Sequence, residues 1–285
     1  MKLQIDFVLL AAVIFLFINQ SNFAQQDSTT VKLVKMELTN GDVFIGEIIE
    51  ESDSLIVLKT LSDLKITIPA RQIKNREVIT KKMHDGEYWF ENPNRSRLFF
   101  APTGRALKAG EGYFAAYEIF FPFIAVGVTD WLTLSGGMSL FPGANSQLFY
   151  FAPKLTPISV KNFDASIGYF FVTVPDGDNL NIAYGVGTYG NDAASATLGL
   201  GYGFSSDNSD TNGEIVILFG GEIRTSETFG LVSENWFFTG GDVFIFSFGA
   251  RFFGESISAD FGLLTSSESS GDFPFLPWLG FVYNF

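Results

Sequence analysis

From residue 113 to the end of the chain, apolar and polar residues alternate in segments of about ten, broken at Gly, Asp, Asn, Ser or Pro. Residues 131–140 set Leu132, Leu134, Met138 and Leu140 on one face, against Thr133, Ser135, Gly137 and Ser139 on the other. Residues 243–252 do the same with Phe244, Phe246, Phe248 and Phe252 against Ser247, Gly249 and Arg251. Period two is the signature of a strand with unlike faces. The pattern predicts twelve strands, at 113–119, 124–129, 131–140, 148–156, 163–173, 182–189, 194–204, 214–224, 229–237, 243–252, 257–264 and 276–285.

Residues 31–79 have a different texture. VKLVKMELT places Val34, Met36 and Leu38 on one face and Lys35 and Glu37 on the other. Asn40-Gly41 is a hairpin signal. VFIGEIIEE, LIVLKT and KITIP follow, separated by turn residues. Four or five short strands in so short a stretch predict a small SH3-like β domain. LTNGDVFIGEII weakly resembles an Sm-like motif through Leu38, Gly41, Gly46 and Ile48. Asp53 falls one residue late for that motif, and no RNA-contacting Asn follows, so the resemblance concerns fold only.

Composition decides what the apolar faces meet. The chain has 33 Phe, 29 Gly and no Cys, and only 17% of its residues are charged. After residue 24 no apolar run reaches the roughly 20 residues of a transmembrane helix. The aromatic faces are too many to hide inside one pair of sheets. An antiparallel transmembrane β-barrel of about twelve strands leaves no backbone group unpaired in lipid. We therefore expect apolar faces outward to lipid and polar faces inward.

The first residues say how the chain reaches such a site. Lys2 precedes an apolar run at 7–18, and Asn22-Phe23-Ala24 offers a cleavage point before Gln25. This reads as a secretory signal peptide over 1–24. The expected organisation is then a small periplasmic β domain at 25–80, a linker and plug segment at 81–111, and an outer-membrane barrel at 112–285. A periplasmic N-terminus and an even strand count return the C-terminus to the periplasm. Turns are expected there at Asp130, 157–162, 190–193, 225–228 and 254–255. PGANS, VPDGDN, SSDNSDTN and TSSESSGD are expected as outside loops.

The last residues, WLGFVYNF, place Phe281, Tyr283 and Phe285 on one face. This resembles the C-terminal signature that the outer-membrane assembly machinery recognises. Residues 94–143 resemble a family of Bacteroidetes outer-membrane β-barrel proteins of unassigned function. The resemblance lies in Arg97-Leu98, Pro102-Thr103, Ala106-Leu107, Gly110 and the Gly127-Val128-Thr129-Asp130 turn. It implies location and fold, and no activity.

Chemistry is sparse. Twelve strands is also the size of the outer-membrane phospholipase A family, which uses a Ser–His–Asn site. The single histidine, His84, sits in the polar stretch KKMHDGEYWF, outside the predicted barrel. No Cys nucleophile exists, and no His/Asp/Glu grouping has metal-ligand spacing. The glycine runs at 185–190 and 199–203 lie inside alternating strands, without the strand–turn–helix setting of a phosphate loop. We expect no enzyme, no cofactor and no metal. A net charge of −13 argues against nucleic acid. The expected partners are outer-membrane lipid, the assembly machinery and a periplasmic partner of the N-terminal domain.

By the alternation, Glu118, Lys154, Asp164, Glu222, Arg224, Glu234, Arg251 and Asp260 point inward. The assignment of Glu234 sends Ser233 and Asn235 to the lipid face. Inner-face glycines, among them Gly127, Gly137, Gly168, Gly199, Gly201, Gly249 and Gly262, suggest that something approaches the wall closely. Arg95, Arg97, Arg105 and Lys108 form a basic segment just before the first barrel strand. They are candidates for a plug that pairs with inward carboxylates, or for a solvated collar. Three functions follow: a small pore or transport element with a charged interior; a membrane-anchored binding or scaffold protein acting through its periplasmic domain; and, last, an enzyme.

Overall fold

The computed structural model describes residues 30–84, 87–175, 177, 179–205, 213–269 and 274–285. The signal-peptide expectation at 1–24, and most of the SSDNSDTN loop, lie outside the described residues. The chain divides into two compact units, Met1–Glu91 and Asn92–Phe285.

The first unit is a six-stranded antiparallel sheet in the order β4-β3-β2-β1-β5-β6. Its strands are β1 Thr30–Leu38, β2 Val43–Glu51, β3 Leu55–Thr60, β4 Lys65–Pro69, β5 Ile73–His84 and β6 Glu87–Tyr88. A 3-10 turn, Ala70–Gln72, joins β4 to β5. Val34, Met36 and Leu38 are buried with Ile56, Leu58 and Ile68, so the period-two face of β1 is the core face. The Asn40-Gly41 hairpin closes with Gly41 at φ +90, a conformation that glycine adopts without strain. His84, expected in a linker, instead ends β5 and pairs with Glu87 of β6.

Gly46 is fixed by a close approach. A Cβ there would overlap the Lys59 carbonyl on β3. We expect Gly46→Ala to cost about 1–3 kcal/mol by forcing β2 from β3. Hydrogen exchange should show lost protection in β2 and β3 and unchanged protection in the second unit. Full protection in β3 would refute the strain.

The second unit closes on itself. Its strands are β7 Gly112–Tyr117, β8 Phe121–Thr129, β9 Leu132–Met138, β10 Phe149–Phe151, β11 Lys154–Val160, β12 Phe163–Thr173 and β13 Leu180–Gly190. They continue with β14 Ala194–Ser205, β15 Glu214–Arg224, β16 Phe229–Phe238, β17 Val243–Phe253, β18 Ile257–Ser266 and β19 Leu276–Asn284. β10 and β11 both pair with β9 and with β12, so they form one stave interrupted at Ala152-Pro153. Every neighbouring pair is antiparallel. β19 pairs with β7, completing a closed barrel of twelve staves. Phe285 and Gly112 exchange both backbone hydrogen bonds at the seam.

Two expected boundaries move. The turn expected at 157–162 is strand as far as Val160, because the chain passes Pro157, which has no N–H, by a register shift between Leu155 and Ile158. The turn itself is at Asn162, at φ 62. The first strand stops at Tyr117, short of Ile119, because Glu118 and Ile119 take φ 48 and 65.

Alternation sorts the faces. Phe248, Phe252, Phe261 and Phe281 are about half exposed on the outer face, while Ser247, Ser258, Arg251 and Asp260 are buried inside. Phe281, Tyr283 and Phe285 are all outward. Among the described residues no helix is long and apolar enough to cross a membrane. One barrel end carries the short turns at Asp130, Asn162, 191–193, 225–228 and 254–256; we call it the turn end. The other is the loop end.

Candidate functional site

Residues 92–109 do not skirt the barrel. They enter it from the turn end and fold into a hairpin inside. Leu98 N–H donates to Ala101 carbonyl at 2.8 Å, and Thr103 N–H to Ser96 carbonyl at 3.0 Å. Leu98, Phe99 and Ala101 are buried at the tip. Leu98 and Phe99 pack with Val232 of β16, and Ala101 with Val186 and Leu218. Burying a hairpin obliges its backbone groups to find partners. The inward side chains of the strands supply them.

Glu234 accepts from both Phe100 N–H and Ala101 N–H, each at 2.9 Å, and from Trp236 Nε1 at 2.8 Å. Lys154 donates to the carbonyls of Ser96, Thr103 and Arg105 at 3.3, 3.0 and 2.6 Å. One carboxylate thus holds hairpin N–H groups, and one ammonium holds hairpin carbonyls. Thr188 accepts from Gly104 N–H, and Ser166 donates to Gly104 carbonyl.

A charge network lies beneath the tip. Arg251 and Asp260 are directly opposite on β17 and β18. Arg251 grips Asp260 through Nε at 2.6 Å and Nη2 at 2.9 Å, a fork-shaped contact. Arg97 of the hairpin reaches the same carboxylate through Nη1 at 2.8 Å. Glu222 takes Arg251 Nη1 at 2.5 Å and also accepts from Asn92. Arg97, Arg251 and Asp260 are all 2% exposed or less. Two arginines and two carboxylates therefore balance where no water screens them. The Arg97 guanidinium also lies 5.7 and 5.8 Å from the Tyr113 and Tyr117 ring centres.

The other expected charges lie elsewhere. Glu118 is in the β7–β8 turn at the loop end, accepting from Leu279 N–H at 2.8 Å, and it is not an interior residue. Arg224 folds onto its own turn, donating to Glu227 carbonyl and lying 4.7 Å from the Phe253 ring centre. Asp164 accepts from Ser159 at 2.6 Å and stands 3.7 Å from Arg105 at the turn end. Arg95 reaches Glu111 at 2.7 Å. Lys108, 3.9 Å from Glu111, is exposed at the mouth.

Ser233 and Asn235 do face outward beside Glu234. Asn235 donates to Phe219 carbonyl and to Ser233 Oγ, and Ser233 donates to Ser247 carbonyl. The pair consumes its own polarity. The inner-face glycines divide by cause. A Cβ at Gly127 would overlap the Lys108 carbonyl, and one at Gly262 would press on the Phe99 ring, so the hairpin explains these two. Gly137 and Gly168 instead lie under Tyr150 and Tyr184. Sequence reasoning missed Asn92, Asn94, Ser96, Thr133, Ser166 and Thr188 as docking residues. For Thr133, Ser166 and Thr188 the signal available was small polar residues recurring at inward positions.

No family model matches the chain, and no curated protein matches it. Several solved outer-membrane barrels resemble it in outline. The KdgM porin in complex with disordered oligogalacturonate is 9% identical at TM-score 0.48, over 61% of this chain and 98% of that one. OmpT of Vibrio cholerae, in vitro folded, is 12% identical at TM-score 0.35, over 90% and 95%. Salmonella typhi OmpF, in complex with daunomycin, is 11% identical at TM-score 0.35, over 89% and 96%. Likenesses this distant say nothing about what this barrel carries.

Proposed function

We propose that this protein is an outer-membrane barrel that serves as a small transport element and is closed at rest by its own residues 92–109. The observation that carries the reading is the buried hairpin, which fills the turn-end half of the interior and is held there by Glu234, Lys154 and the Arg97–Asp260 pair. An apolar outer face around a closed ladder fits lipid, where an outward Arg or Lys would cost about 2–4 kcal/mol at midplane. On this reading a signal peptide at 1–24 exports the chain, and the first unit meets its expected partner in the periplasm. The small-barrel reading of that unit draws on its β4-β3-β2-β1-β5 order. A protein that only anchors has no need of a removable stopper, and a hairpin tied by backbone hydrogen bonds is removable in a way that wall side chains are not.

The test is planar-bilayer recording of the full chain, with folding checked by heat-dependent gel migration. Rare, brief openings on a closed baseline are expected. A steadily open trace would show that the hairpin does not close the barrel.

A further inference from the structure

The hairpin fills only part of the interior. Beside the hairpin, and from there toward the loop end, lies a cavity of about 280 Å³. Phe100 and Pro102 of the hairpin border it, and Ile182, Val216, Leu218 and Trp236 are among its wall residues. The same strands carry buried Thr188, Thr197 and Glu222 nearer the turn end. The inner face thus changes from polar to apolar at the hairpin tip. A water-filled channel keeps a polar interior. β14 presents Gly199 and Gly201 to this space, and the side chains of Leu218 and Ile182 lean across them. Filling an apolar cavity with an apolar group of matching volume is favourable.

Polar side chains interrupt the apolar lining, among them Arg97, Thr133, Ser135 and Tyr184, and two more, Ser96 and Lys154, bear on what it would hold. Ser96 Oγ is buried and has no hydrogen-bond partner. The Lys154 ammonium spends its protons on three carbonyls, and among the described residues no carboxylate lies within ion-pair distance of it. The lining therefore places an unpartnered hydroxyl and a buried ammonium that forms no direct ion pair under an apolar vault.

We propose that the cavity binds a small monocarboxylate with an apolar body. Its carboxylate would face Ser96 and Lys154, and its body would lie among Ile182, Val216, Leu218 and Trp236. A cavity of about 150 Å³ takes benzene, so this one admits a medium-length acyl chain or an aryl acid. The inference deepens the transport reading by naming the solute class; it rests on that reading for passage, while binding stands by itself.

The test uses the full chain in lipid bilayers, titrated with a dibrominated decanoate that quenches tryptophan emission. Saturable quenching that Trp236→Phe removes is expected. Decanoate should displace the probe at least about tenfold better than decylammonium. Lys154→Met should erase that preference. Val216→Phe should fill the cavity and weaken both ligands while gel migration still reports a folded barrel. If Lys154→Met fails to fold, Ser96→Ala should lower decanoate affinity and leave decanol unchanged. Equal displacement by decanoate and decylammonium, or saturable quenching untouched by Val216→Phe, would overturn the proposal. Liposome flux separates the two readings. Binding without flux refutes transport and keeps the site, and flux of decanoate without binding refutes the site alone.

Discussion

Replacing Asp260 with alanine should lower the stability of the barrel by about 3–5 kcal/mol, the range for removing one member of a buried ion pair. The large value follows from geometry. Asp260 receives Arg251 through two nitrogens and Arg97 through a third, all within 2.6 to 2.9 Å. Asp260 and Arg251 are buried on the barrel wall, and Arg97 is buried on the hairpin. Without the carboxylate, Arg97 loses its ion-pair partner and Arg251 keeps Glu222, in a space closed to water. Denaturant midpoints of the refolded chain measure the loss. Asp260→Asn keeps the shape and some hydrogen bonds and should fall between wild type and alanine. A loss under about 1 kcal/mol for the alanine variant would mean that water already reaches the network, as at a surface pair.

Much of the barrel could be read from residue order because strand physics has a short memory. Phe244, Phe246, Phe248 and Phe252 alternate with Ser247 and Arg251, and two neighbouring residues suffice to assign a face. The errors fall where a backbone angle, rather than a side chain, decides. Glu118 and Ile119 end β7 by adopting positive φ, and nothing in their side chains announces it. Pro157 reads as a turn but is carried as a register shift. The hairpin was half legible. Its cations drew attention to residues 95–108, yet its anchors are largely backbone groups, which have no sequence signature. The apolar half of the interior was not legible at all. IAYGVG of β13 sets no polar face against its apolar one, and period two cannot separate a face turned to lipid from one turned to an apolar cavity.

Deleting residues 92–109 should turn rare openings into steady conductance steps. The barrel itself should survive. Its seam runs from Gly112 to Tyr117 on β7, beyond the deletion, and pairs there with β19. Arg251, Asp260, Glu222, Glu234 and Lys154 lose their hairpin partners but gain water, which makes their charges tolerable in an open interior. Gly127→Val is the single-residue version. Its side chain would collide with the Lys108 carbonyl. It would also strain the Gly110–Gly127 and Gly127–Glu111 backbone hydrogen bonds that hold the hairpin's exit to β8. Intermittent steps are expected from it, because the hairpin tip keeps Glu234 and Lys154 as partners while its exit is pushed away. Glu222→Gln in the deleted background should then shift the reversal potential toward anion preference, since it removes an inward carboxylate and leaves Arg251. If the deleted form folds and stays silent, the apolar loop-end half closes the barrel, the transport reading falls, and the anchor reading, with activity in the first unit, takes its place.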